Sequence, residues 1–189
     1  MAYTDLSSTF IYKALLTYQN LDALAENDKE MYVSGNFLFS PAKARYYAIN
    51  PYDLAPHDQN VNFSIHAGQY AQSVSNTVAA YCGCPIQFPD GTVVTSLKVY
   101  WYRTDAVSSG TCALERVTLT DGTITTMANA DSDSSAGNHS VEDTTIASAT
   151  IDNTLYSYQL DIGIDPNDSA AEVAFRAAVI TFTITTPMP

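Results

Sequence analysis

Zinc chemistry in this chain would have to come from Cys82-Gly83-Cys84, joined by Cys112 and a distant histidine. The one-residue gap is shorter than the two to four residues that zinc ligand pairs use, and no His-x3-His follows, so the spacing argues against zinc. An odd cysteine count also argues against a complete disulfide framework. Either Cys82 or Cys84 could meet Cys112 across neighbouring strands, but buried thiols acting as small apolar side chains are the favoured reading. Nucleophilic catalysis would need a Ser or Cys beside His57, His66 or His139 and an orienting acid, yet no Gly-x-Ser-x-Gly turn occurs. His66 reads as an ordinary strand residue. Glycoside hydrolysis needs paired carboxylates, but the strand-rich part offers only Glu115, Glu142 and Glu172, and its Asp residues cluster in turns, where they serve the backbone.

Residues 129–143 (NADSDSSAGNHSVED) bring together Asp131, Asp133, Glu142 and Asp143, whose hard oxygens suit Ca²⁺, but the helix-loop-helix calcium spacing is missing. No catalytic residue and no cofactor are therefore assigned; a structural Ca²⁺ on Asp131 and Asp133 is the one ion entertained. The aromatic set Tyr70, Tyr81, Tyr100, Trp101, Tyr102, Tyr156 and Tyr158 is more suggestive. Exposed rings on a sheet stack on sugars or form a protein interface, while buried ones simply fill a core. Tyr100, Trp101 and Tyr102 are the candidate glycan-stacking group.

The element that carries those three rings is the clearest in the chain. In Phe88–Arg103 (FPDGTVVTSLKVYWYR) a Pro-Asp-Gly turn feeds a long strand with Val93, Leu97, Val99 and Trp101 on one face and Ser96, Lys98, Tyr100 and Tyr102 on the other. Further strands are expected at 63–70, 77–82, 86–88, 111–120, 123–127, 144–151, 155–164 and 174–185. Thr120-Asp121-Gly122-Thr123 predicts a two-residue hairpin. Residues 129–143 are expected to form a mobile exposed loop. The pattern predicts an all-β fold, a two-sheet antiparallel sandwich of jelly-roll type, preceded by a short N-terminal arm and one helix. That helix is placed at 17–34, capped by Thr17 and ended by Gly35, with Leu21, Leu24, Met31 and Tyr32 on its apolar side. Residues 36–60, rich in rings and proline, read as a connecting segment, so the organisation is 1–60 for attachment and 61–189 for the sandwich.

A formal net charge of −12, from 20 acidic and 8 basic side chains, opposes binding to nucleic acid or anionic lipid. No stretch approaches the ~20 apolar residues of a membrane span, and MAYTDLSSTF does not read as a secretory leader.

The passage from Phe88-Pro89-Asp90-Gly91 to Tyr102, continuing through Ala113-Leu114-Glu115-Arg116 to the closing strand Ala178–Ile184, resembles jelly-roll modules of bacterial surface proteins and virion proteins. Phe10–Tyr32, with Leu16-Thr17, Leu21, Asn27 and Met31-Tyr32, looks like the arm and helix of tailed-phage head and tail proteins. The resemblance implies a non-enzymatic virion structural protein, a capsid decoration, fibre or tail-associated component assembled in the host cytoplasm. It would dock through Leu21, Leu24, Met31, Tyr32, Phe37 and Phe39 on copies of itself, a trimer by analogy, and on other virion proteins. The alternative is a carbohydrate- or receptor-binding sandwich that engages a host-surface glycan.

Overall fold

The computed structural model describes residues 32–34, 37–39, 42–57, 63–75, 77–104, 107–167 and 172–184. The chain divides into two units, one comprising residues 1–43 and 185–189, the other residues 44–184. In the first, β1 (Tyr32–Ser34) and β2 (Phe37–Phe39) form an antiparallel pair with Tyr32 opposite Phe39 and Ser34 opposite Phe37. The helix expected at 17–34 therefore gives way to strand at its last three residues; Leu21, Leu24 and Met31 lie outside the described residues.

The second unit is the sandwich. Its strands are β3 (Lys43–Ile49), β4 (Ala55–Pro56), β5 (Phe63–His66), β6 (Tyr70–Ser73), β7 (Ala80–Ile86), β8 (Val93–Arg103), β9 (Ser109–Thr118), β10 (Ile124–Asn129), β11 (Gly137–Asp143), β12 (Tyr156–Asp165) and β13 (Val173–Ile184). One sheet has the order β10-β9-β12-β7-β4; the other runs β11-β8-β13-β6-β5, with β3 also pairing to β13. Neighbouring strands along both sheet orders run antiparallel, and the fold is the two-sheet all-β sandwich that the alternation predicts.

The core is what each sheet hides. Cys82, Cys84 and Ile86 of β7, Cys112 and Leu114 of β9, and Leu160, Ile162 and Ile164 of β12 face Leu97, Val99 and Trp101 of β8 and Phe175, Ala178 and Ile180 of β13. Each large apolar side chain removed from water contributes about 1.5–3 kcal/mol before entropy is charged against it. Phe88 closes one end, edge-on to Tyr47, Tyr158 and Phe182 at centroid distances of 6.3, 5.9 and 5.7 Å.

Three β-bulges break the alternation: Thr95 on β8, Arg176 on β13 and Met127 on β10 each have no opposite number. A bulge shifts the side-chain phase by one residue. Val93, expected inside, is consequently 38% exposed, and Val94 is buried at 2%.

Other departures have local causes. The single strand expected at 63–70 is two, because Ala67 and Gly68 take φ of +46° and +69° and reverse the chain, with Gln69 N–H donating to His66 O at 2.8 Å. The ring of Tyr52 covers that turn so closely that a Cβ on Gly68 would sit 2.2 Å from its Cε2. The Asp121-Gly122 turn is longer than two residues: Gly122 N–H reaches Thr118 O at 2.9 Å, closing a five-residue connection between β9 and β10. The second half of the polar stretch 129–143, Gly137–Asp143, is ordered as the edge strand β11, whereas 144–151 contributes only an isolated bridge, Val93 to Thr150. Residues 36–60, expected to connect, supply β2, β3, a 3-10 turn at Pro51–Asp53 capped by Asn50, and β4.

Candidate functional site

Rings and planar polar side chains converge on the outer face of the six-stranded sheet. Alternation along β8 turns Leu97, Val99, Trp101 and Arg103 inward and leaves Lys98, Tyr100 and Tyr102 outside. Register then selects their neighbours, since residues directly opposed across strands share a face. Asn138, Tyr102, Ala174, Gln72 and Ser64 stand in one row across β11, β8, β13, β6 and β5. In the adjoining row Ser140 opposes Tyr100, Tyr100 opposes Ala177, and Tyr70 opposes His66.

Arg176 is the residue that the bulge inserts between these rows. Phe175 pairs with Trp101 and Ala177 with Tyr100, so Arg176 has no ladder partner and its side chain is delivered to the outer face. Its guanidinium carbon lies 5.4 Å from the ring centre of Tyr70 and 5.3 Å from that of Tyr102. His66 stacks on Tyr70 at 4.8 Å with an interplanar angle of 11°. In strand order the stack runs His66 on β5, Tyr70 on β6, Arg176 on β13 and Tyr102 on β8. Cation–ring contacts at such partly exposed sites contribute about 0.5–1 kcal/mol each and hold the guanidinium plane in place.

Two depressions flank that guanidinium. Because Ala174 is small, a groove of ≈ 360 Å³ opens among Tyr70, Gln72, Tyr102, Thr104 and Arg176. A more open hollow of ≈ 510 Å³ lies on the other side, among Tyr100, Asn138, His139, Ala177 and the same Arg176. Among the described residues neither is lined by a carboxylate. Arg176 Nε and, two strands away, Ser64 Oγ are buried atoms with no hydrogen-bond partner among the described residues. Lys98, further along β8, reaches Glu142 at 3.5 Å.

The structure brings Tyr100 and Tyr102 onto this face, Tyr100 being 39% exposed, but removes Trp101 from it. Trp101 is 0% exposed, donates its indole N–H to Ala130 O at 3.0 Å and meets the Phe175 ring edge-on at 5.8 Å. Alternation forces this, since three consecutive strand residues cannot share a face. The other rings disperse: Tyr81 is exposed on the opposite sheet, Tyr156 carries the Arg116 guanidinium at 4.4 Å, and Tyr158 is buried. His66 is more than the plain strand residue expected, because it ends the stack. Arg176, Gln72 and Asn138 escaped the sequence reading. The signal for Arg176 was present: apolar residues occupy 173 and 175, then 178, 180 and 182, a change of phase that marks one extra residue.

The remaining candidates have structural employment. Asp131 accepts the Cys112 N–H at 3.0 Å, and Asp133 accepts the Ser135 N–H at 2.8 Å and faces His139 Nε2 at 3.5 Å. Arg103 Nη1 donates to Asp133 O. Among the described residues no group of three or more His, Cys, Asp or Glu could hold a metal ion. Glu115 accepts from Gln159 at 2.9 Å on the five-stranded sheet, Glu142 sits on β11 of the other sheet, and Glu172 is buried with Asn167 N–H donating to it, so no carboxylate pair forms from them. His57 Nε2 lies 3.3 Å from Asp161.

All three cysteines are free and buried. Cys82 and Cys112 both oppose Ile162, one from each side of β12, which puts them two strand spacings apart, roughly 9–10 Å and beyond disulfide reach. Burial, helped by Asp161, pushes the Cys82 thiol up to about 12, and burial with Asp53 raises Cys84 to about 11.

No family model matches the sequence, and no curated protein matches it. Solved structures share the sandwich at low identity. The C-terminal CBM6 of LamC, a marine laminarinase from Zobellia galactanivorans, aligns with 72% of this chain and 99% of its own at 14% identity and a TM-score of 0.45. A CBM36-1 domain of a multidomain xylanase from the Trinervitermes trinervoides hindgut metagenome gives 72% and 96% coverage, 7% identity and a TM-score of 0.44. The enzymatically active domain of bacteriophage CBA120 tailspike protein 4 gives 76% and 19% coverage, 10% identity and a TM-score of 0.35.

Proposed function

We propose that this chain is a non-catalytic carbohydrate-binding β-sandwich that takes its ligand on the outer face of the six-stranded sheet. The observation that carries the reading is Arg176, inserted by a bulge and clamped between Tyr70 and Tyr102 at the rim of an open groove. A sugar ring offers apolar C–H patches and a fan of hydroxyls. Tyrosine rings match the first, while the planar ends of Arg, Gln and Asn match pairs of the second. Tyr100 and Tyr102 supply the ring surface here; Gln72, Asn138 and Arg176 supply the planar donors and acceptors. The groove crosses strands rather than closing over a small molecule, which suits a length of polymer.

The test is a glycan array probed with the full chain, followed by titration of any hit against Tyr102→Ala. At least one glycan should bind, and Tyr102→Ala should weaken it about tenfold or more, by loss of one aromatic contact and release of Arg176. A folded protein that ignores every glycan refutes the reading and leaves a protein interface as the use of this face. Attachment to a particle through residues 1–60 is a separate proposal, independent of this groove.

A further inference from the structure

We infer that the groove selects an acidic saccharide, one bearing a carboxylate or sulfate, and that Arg176 is the residue that recognises the anion. The inference rests on the carbohydrate-binding reading and names its ligand class. Its first support is charge. The chain carries 20 acidic side chains against 8 basic ones, yet among the described residues neither depression beside Arg176 is lined by an acid. Lys98 on the same face is already matched by Glu142. Among the described residues Arg176 forms no ion pair; its neighbours are the faces of two tyrosine rings.

The second support is geometry. The Arg176 guanidinium carbon lies 5.4 and 5.3 Å from the ring centres of Tyr70 and Tyr102, cation–ring contacts that use its charge and leave its N–H donors for another partner. Its buried Nε has no acceptor among the described residues, and the donors offered to a ligand are the terminal Nη groups. Carboxylate and sulfate both present paired oxygens that match the paired donors of a guanidinium. Arg176 borders both depressions, so an anion seated on it would have sugar units of the same polymer on either side, over Tyr102 with Gln72 and over Tyr100 with Asn138.

The experiment compares matched ligands on the full chain. Calorimetric titrations with oligogalacturonate and its methyl ester isolate the carboxylate; a sulfated galactan oligosaccharide and its desulfated form isolate the sulfate. In at least one pair the charged member should bind about 10- to 100-fold more tightly, the range of one charge-assisted contact, and its affinity should fall as salt is raised. Arg176→Gln should abolish that difference, bringing the charged ligand to the affinity the same variant shows for the neutral partner; Arg176→Lys should restore part of it. Equal affinity within both pairs, or an array on which only neutral glycans bind, overturns the acidic assignment and leaves the carbohydrate reading intact. Absence of binding to any glycan overturns both. The comparison of acid with ester needs no variant, so a misfolded Arg176→Gln does not rescue the inference.

Discussion

Replacing Trp101 with phenylalanine separates the core from the ligand face. In the structure this indole is wholly buried, donates to Ala130 O at 3.0 Å and lies against Gly110, where an added Cβ would come within 2.5 Å of its Cζ3. Phenylalanine keeps an aromatic ring against Phe175 but strands the Ala130 carbonyl, at about 1–3 kcal/mol. It also removes roughly three buried ring atoms, worth about 2 kcal/mol by transfer. The sum, about 3–5 kcal/mol, corresponds to a fall in Tm of about 6–20 °C for a domain of this size. Differential scanning calorimetry measures it, and glycan titration well below the new Tm should return the parent affinity. Gly110→Ala alone should cost about 1–3 kcal/mol by overpacking. Combined with Trp101→Phe it should cost less than the two effects added, because the smaller ring vacates the space that the methyl enters. A Trp101→Phe protein with unchanged Tm and lost glycan binding would refute this reasoning and return Trp101 to the ligand face.

Three further outcomes follow from the same structure. Asp121 and Asp133 are held below the usual carboxylate range chiefly by the backbone N–H groups of Thr123 and Ser135, and Asp152 by the hydroxyl and N–H of Thr154. Their folded values lie below the unfolded ones, so their stabilisation is complete above about pH 4 and is lost as pH falls through the depressed values; Tm should be level near neutrality and drop only in acid, and a drop between pH 8 and 6 would contradict this. With the Cys82 and Cys84 thiols raised to about 12 and about 11, and Cys112 raised by complete burial, labelling by a thiol reagent at pH 8 should track global unfolding; rapid modification of the native protein would overturn the assignment. Deletion of residues 1–35 should leave the sandwich with its parent Tm while a homo-oligomer, measured by sedimentation, falls apart; an unchanged sedimentation coefficient would remove the attachment role from that segment.

The strands that were legible in sequence are those whose alternation is unbroken and whose inner face is apolar, such as Leu97–Arg103 and Tyr156–Ile164. β11 was hidden because Gly137–Asp143 is polar: an edge strand needs a ladder partner on one side only and can leave much of its surface in water. β5 and β6 merged because Ala67-Gly68 is not a usual turn pair and relies on Tyr52, distant in sequence, to cover it. For the ligand face, the parity of Tyr100 and Tyr102 against Trp101 was already visible, and grouping all three overrode it. The stack itself depends on which strands neighbour one another. β6 and β8 meet β13 from opposite sides, an arrangement that the order of residues 70, 102 and 176 along the chain does not reveal.

The groove's cation is the one residue of β13 that the hydrogen-bonded ladder can do without. Phe175 and Ala177 would oppose Trp101 and Tyr100 in continuous register if Arg176 were excised, and every later pair with β8 would keep its partner. Loss of a single codon would therefore erase the charged feature of this face while sparing the core, and gain of one could create it. Specificity on such a scaffold is open to change by indels as readily as by substitutions.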